Sequence, residues 1–327
     1  MEKTITKALN SRLVDTFIAL LRSAMTNSNE EIDLKDVNYE ELFFLSKFHD
    51  LAHLIYYELQ KRNALNDGEI TRKFKSQFDT SLYRAVQRDV AIEKIRNTFE
   101  RCGIPFILLK GAYLMNLYPE SWMRSSSDVD VLVKLGDHSI AVEALKQSGF
   151  TAFTESKHDV SFYTQERFHV ELHYLLIEKD WLPNTANLLE DIWNYTTSSD
   201  KNERIINDEL LYLYHLAHMA KHFKIGGCGV RSFIDLWFLN HSIDYDASKR
   251  KSILSESDIQ VFAQQCELLS EQWFSNKITN QKYDEFEEYI INGGIYGTTE
   301  RKVIIEKKKA KNGLLIILNG FFCHIVA

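Results

Sequence analysis

The sequence predicts an α+β fold, a small mixed β-sheet core flanked by N-terminal and C-terminal helical regions. Three observations predict it. Apolar residues recur at helical spacing through the first hundred residues, short strand-like runs alternate with helical ones between about residues 103 and 174, and helical spacing returns after about residue 188. The chain has 327 residues, 45% of them hydrophobic and only three of them proline, a make-up that suits two or three packed units and argues against disorder.

In the first region Leu13, Phe17, Leu20 and Leu21 form the stripe of an amphipathic helix over residues 12–23. Helical patterning continues over 39–61 and again over 71–101, where Phe78, Leu82, Ala85, Ile92, Ile95 and Phe99 fall near one face. Cys102-Gly103-Ile104-Pro105 then punctuates the helix, and Phe106-Ile107-Leu108-Leu109 follows with the length of a strand. The expected order from there is a strand at 106–110, a helix at 111–117, a strand at 129–134, a helix at 138–147, and strands near 150–154, 159–164 and 168–174. A helix over 209–223 stops at Gly226-Gly227-Cys228-Gly229, and another runs over 231–240. The division expected is a helical region at 1–101, an α/β core at 102–190, a helical bundle at 191–298 and a tail at 299–327. That tail is basic and then apolar, as a truncated or frame-shifted end would be.

The formal charge of −7 excludes a broad basic footprint for long nucleic acid and favours a small substrate or a protein partner. Cys102, Cys228, Cys266 and Cys323 are scattered with no CxxC pair, so neither a zinc knuckle nor a disulfide framework is expected, and a reducing cytoplasm fits. The opening residues lack the layout of a signal peptide, and no run of about 18 apolar residues offers a membrane span.

Three short segments carry chemistry. In Asp128-Val129-Asp130-Val131-Leu132-Val133 the period of two sets both aspartates on one strand face and the valines on the other, so two carboxylates converge as a hard-cation site. In Leu109-Lys110-Gly111-Ala112 the glycine permits close backbone approach at a strand-to-helix turn, and Lys110 adds a point charge for phosphate. In His169-Val170-Glu171-Leu172-His173 the same alternation puts His169, Glu171 and His173 on one face, so Glu171 can supply a third carboxylate. The two histidines either flank that site or are surface side chains.

Taken together, Lys110-Gly111, Tyr118-Pro119, Arg124, Asp128-x-Asp130 and the later HVELH resemble the uncharacterised nucleotidyltransferase family of the DNA polymerase β-like superfamily. The resemblance runs from about residue 45 to 297, and its specific part is 103–174. It implies that Asp128, Asp130 and Glu171 are catalytic metal ligands for Mg²⁺ or Mn²⁺, and that Lys110, Gly111 and Arg124 bind the nucleotide. The implied reaction moves a nucleoside monophosphate from an NTP to a hydroxyl acceptor. The superfamily's usual glycine-serine turn is glycine-alanine here, and the stretch from Gly111 to Asp128 is longer than its norm.

The family also bears a helix with histidine and lysine, which implies that His218, Lys221 and His222, with His173, line the cleft. His215, His218 and His222 share one helix face, and a polar seam or a zinc site are the two readings of that spacing. The competing functions are a catalytically inactive nucleotide-binding or protein-interaction module on the same fold, and a metal-dependent phosphohydrolase.

Overall fold

The computed structural model describes residues 11–156, 158–275, 284–295 and 297. Four helices come first, α1 (Ser11–Thr26), α2 (Tyr39–Phe48), α3 (Ala52–Lys61) and α4 (Glu69–Cys102). The helical pattern over 39–61 is divided because Asp50 takes φ +55°, a left-handed turn residue between α2 and α3. Then come β1 (Phe106–Leu108), α5 (Lys110–Leu114), β2 (Asp128–Val133), α6 (His138–Gln147), β3 (Thr151–Glu155), β4 (Asp159–Tyr163) and β5 (His169–His173), close to the order expected. Next are α7 (Pro183–Glu190), β6 (Thr196–Asp200), β7 (Glu203–Ile206), α8 (Asp208–Lys224), α9 (Val230–His241), α10 (Ala247–Glu256), α11 (Gln260–Phe274) and α12 (Asp284–Ile291). The expected tail at 299–327, with Cys323, lies outside the described residues; Cys102, Cys228 and Cys266 are free thiols. Among the described residues no helix is long and apolar enough to cross a membrane.

By compactness the chain divides into two units, one of which contains Asp79–Ala217 and Phe238–Gln260. This unit holds a seven-stranded sheet in the order β3-β4-β5-β2-β1-β7-β6. The β2–β5 and β1–β7 pairs are parallel, and the others antiparallel. Alternation decides which face is buried. Val129, Val131 and Val133 of β2 join Val170 and Leu172 of β5 and Val160 and Phe162 of β4 in one apolar layer. Ala91, Ile92, Ile95 and Phe99 of α4 and Ala141, Ala144 and Leu145 of α6 belong to the same core. Each large side chain of that layer contributes about 1.5–3 kcal/mol on burial.

Two strands correct the sequence reading. Residues 196–206 fall where helix was expected after residue 188, yet they form the β6–β7 hairpin at the sheet edge. Thr196-Thr197-Ser198-Ser199-Asp200 is polar and largely exposed, so it has no hydrophobic alternation to announce a strand. The β7 partner is tied to α4 through Glu203, whose Oε2 accepts from Arg96 Nε at 2.7 Å.

The other unit comprises the described residues up to Phe78, His218–Trp237 and those from Val261 onward. Phe17, Leu20 and Leu21 of α1 are fully buried, as the amphipathic stripe requires. An aromatic cluster joins Phe223, Phe262, Phe286 and Tyr289, with Phe223 and Phe262 ring centroids 5.3 Å apart. The glycines at 226–229 do more than end a helix. A Cβ on Gly227 would lie 2.2 Å from Gly297 N, so two backbone segments cross there with no space for a side chain.

His49 ties three segments of this unit together. Its Nε2–H donates to Ile291 O at 3.0 Å and its Nδ1 accepts from Val230 N–H at 3.3 Å, which fixes a neutral ring. Burial pulls its pKa down from 6.5 to about 4, with the bond to Ile291 opposing. The unfolded chain therefore takes up the proton first. The contribution of neutral His49 is complete above pH 6.5 and is lost as pH falls toward 4. Acidification from pH 7 to pH 5 is expected to cost about 2 kcal/mol through this residue. Urea unfolding midpoints of wild type and His49→Gln at both pH values measure it. The variant should start less stable and lose less, and equal losses in the two proteins would refute the assignment.

Candidate active site

The site is assembled by one pairing. Strands β2 and β5 run parallel with Asp128 beside His169, Asp130 beside Glu171 and Leu132 beside His173. Adjacent residues in such a register share a face, so Asp128, Asp130, His169, Glu171 and His173 project together from the side opposite the valine layer. A slip of one residue would exchange the two sets, and burying five polar groups in the apolar layer forbids it.

The donor atoms fall into two groups that share Glu171. Ligand atoms of Asp128, His169 and Glu171 all lie within 4.8 Å of one another, and so do those of Asp130, Glu171 and His173. His173 Nε2 is 2.8 Å from Asp130 Oδ1 and 3.3 Å from Glu171 Oε2, so an N–H there is directed between two carboxylates. Its Nδ1 lies 3.9 Å from Asp159 Oδ2. His169 Nδ1 is 3.8 Å from Glu171 Oε1. Carboxylate oxygens and imidazole nitrogens this close together are a donor set that fits a divalent cation.

The antiparallel neighbour delivers the basic group. Leu108 of β1 lies beside Val131, Leu109 N–H donates to Asp130 O at 3.0 Å, and the next residue, Lys110, places Nζ 2.7 Å from Asp130 Oδ1. Lys110 takes φ +44° to do so, a left-handed conformation that costs a residue with a Cβ about 1 kcal/mol. Gly111 itself is not in that region. Its missing side chain matters for space, because a Cβ would sit 3.0 Å from both Arg124 Nη1 and Ser126 Oγ. The helix that begins at Lys110 is only five residues long.

Electrostatics follow from this crowding. Burial raises the pKa of Asp128, the charge of Asp130 adds to it, and Lys110 opposes. For Asp130 burial acts the same way, but Lys110 and His173 outweigh it and hold the carboxyl well below the usual range. Burial would lower Lys110 and His173; their carboxylate partners overcome it and raise both. One oxygen of Asp130 thus lies between the Lys110 ammonium and the His173 ring.

Four residues of the surroundings were not foreseen. Ser126 Oγ donates to Asp128 O at 2.8 Å and lies 2.9 Å from Asp128 Oδ1, just ahead of the aspartates. Arg88 of α4, fully buried, donates from Nη1 to Ser121 O at 3.2 Å and to Arg124 O at 2.9 Å, which fixes the segment leading into β2. Asp159 comes from β4, the next strand in the sheet. Tyr214 of α8 is buried, and the charges of Lys110, Asp130 and Glu171 act on its hydroxyl. Of these only Ser126, inside a Ser-Ser-Ser-Asp run, had a local signal in the sequence.

Arg124 is buried, and its Nη1 donates to Ser125 O at 2.7 Å beside Gly111. His218, Lys221 and His222 belong to the helical unit. There the Nε2 atoms of His218 and His222 are 3.2 Å apart, and Lys221 is exposed.

Residues 35–275, about three quarters of the chain, match the family described as uncharacterised nucleotidyltransferase. No curated protein and no solved structure matches the chain significantly. A mixed sheet flanked by helices, an Asp-x-Asp strand paired in register with a Glu-bearing strand, and a match over most of the length agree: the chain belongs to the uncharacterised nucleotidyltransferase family, consistent with the DNA polymerase β-like superfamily that its motifs resemble.

Proposed function

We propose that this chain moves a nucleoside monophosphate from an NTP to a hydroxyl acceptor, with Asp128, Asp130 and Glu171 as its catalytic, metal-holding carboxylates. The observation that carries the reading is the register that aligns Asp130 with Glu171 on the polar face of β2 and β5. A divalent cation, Mg²⁺ or Mn²⁺, supplies there neutralisation of charge on the α-phosphate and the departing pyrophosphate. The rest is positioning by the chain's own residues. Lys110, anchored on Asp130, offers its ammonium to a phosphate oxygen, and Arg124 offers a guanidinium beside the close approach that Gly111 permits. Arg88 keeps the backbone of Arg124 in place. His173 holds a proton between Asp130 and Glu171 and so keeps both carboxylates turned into the site. With a net charge of −7, the acceptor expected is a small hydroxyl compound ahead of a long nucleic acid.

One observation favours a second reading. The Lys110 ammonium stands directly against a metal-site carboxylate, as it would in a nucleotide-binding or interaction module that had lost turnover. Product analysis separates the two, because only the enzyme labels an acceptor.

The deciding experiment is a titration with each of the four NTPs, with and without Mg²⁺, alongside the Asp128→Ala/Asp130→Ala double variant. Mg²⁺-dependent binding of an NTP that the variant loses is expected, and an intact protein that binds none would refute the proposal. Turnover in either single variant should fall by about 10²–10³-fold or more, the scale of removing one preorganised charge-stabilising group. Lys110→Ala is expected to raise the NTP KM by about tenfold, or ~1.4 kcal/mol; an unchanged KM removes Lys110 from the phosphate site. Gly111→Ala should displace Arg124 and Ser126 by a few tenths of an ångström and weaken NTP binding several-fold. Wild-type affinity in that variant would mean that the close approach at the turn serves no ligand.

A further inference from the structure

The two donor groups are not equivalent. In the group built on Asp130, one carboxylate oxygen already accepts from both the Lys110 ammonium at 2.7 Å and the His173 ring at 2.8 Å. In the group built on Asp128, the hydrogen-bond partner of that carboxylate among the described residues is a neutral hydroxyl, Ser126 Oγ, at 2.9 Å. His169 Nδ1 faces Glu171 Oε1 at 3.8 Å, too far for a hydrogen bond. It is nevertheless the separation of two ligands on one ion, since donors about 2.1 Å from a metal lie about 3–4 Å from each other. The ring of His169 is braced from the other side by Tyr163, its register partner on β4, with centroids 5.3 Å apart.

We propose that the nucleotide-free protein binds a single divalent transition-metal ion through Asp128, Glu171 and the Nδ1 nitrogen of His169, while Lys110 keeps Asp130 until a phosphate draws it away. This rests on reading the carboxylates as a metal site. It goes further by adding an imidazole ligand and by naming the class of metal. Mg²⁺ demands an oxygen shell and sheds water reluctantly, whereas first-row transition ions accept imidazole beside carboxylate. Lys110 does the electrostatic work of a second cation at Asp130, so the resting site takes one ion and not two.

The test uses the full chain, stripped of metal, with Mn²⁺ alone as the probe. Electron paramagnetic resonance counts the bound ion, and electron spin-echo modulation reads nitrogen in its ligand shell. Expected are one Mn²⁺ per chain, ¹⁴N modulation of an imidazole, and displacement by Mg²⁺ only in large excess. His169→Gln should lose the modulation and weaken Mn²⁺ by about 10-fold or more, the loss seen even for groups one step removed from a metal. His173→Gln should keep the modulation. Bound Mn²⁺ with no nitrogen modulation in the wild type overturns the inference and leaves the nucleotidyltransferase reading standing. So does the absence of Mn²⁺ binding where Mg²⁺-dependent NTP binding persists, while the loss of both overturns both.

Discussion

The parallel register of β2 on β5 is the constraint on which the site depends. It is set by the far face of the sheet, where Val129, Val131, Val133, Val170 and Leu172 bury against α4 and α6. Burying those chains is worth more than any contact among the polar groups, and the polar groups are costly to bring together: three carboxylates share one small surface. The hydrophobic layer therefore holds in place a cluster that like-charge repulsion would otherwise disperse. This is the usual relation between a scaffold and a strained functional site.

The same reasoning shows why this part of the molecule was legible from the sequence. A period of two is a property of the strand alone, so DVDVLV and HVELH each announce which residues share a face before any partner is known. The glycine of the β1–α5 turn was legible for a similar local reason. What could not be read was anything that depends on a distant element choosing its neighbour. Arg88 sits on α4 amid exposed and buried positions alike, and its task, bonding Ser121 O and Arg124 O, exists only once α4 packs beside the segment ahead of β2. Tyr214 is one more aromatic residue on a helix rich in them. The β6 strand carried no signal because an exposed edge strand made of Thr, Ser and Asp owes its place to the ladder with β7 and not to apolar alternation.

At the turn the close approach expected of Gly111 is present, and a left-handed torsion that the sequence did not announce falls on the residue before it. Glycine serves either a left-handed torsion or a tight approach, and at this turn the torsion falls on Lys110 and the approach on Gly111. Lys110 bears a conformation unfavourable to a side chain, and in it the ammonium meets Asp130 directly after the chain leaves β1. The ion pair, half-buried and short, offsets that strain.

Charge balance then explains why one aspartate is quiet and the other is not. Asp130, flanked by Lys110 and His173, has its negative charge answered within the protein, and these neighbours hold its carboxyl well below the usual range. Asp128 has burial and Asp130 against it and only a hydroxyl and a more distant ammonium in its favour, so its charge is the one the fold leaves incompletely compensated. In the proposed function, a cation arriving at this face would gain most at Asp128 and Glu171, and a phosphate arriving with it would gain most at Lys110. Each would relieve the other's partner: the phosphate draws the ammonium from Asp130, and the freed carboxylate then adds to the attraction for the cation. On that proposal two ligands of opposite charge would reinforce one another through a single side chain, which would give a physical reason for a lysine directly ahead of the glycine turn.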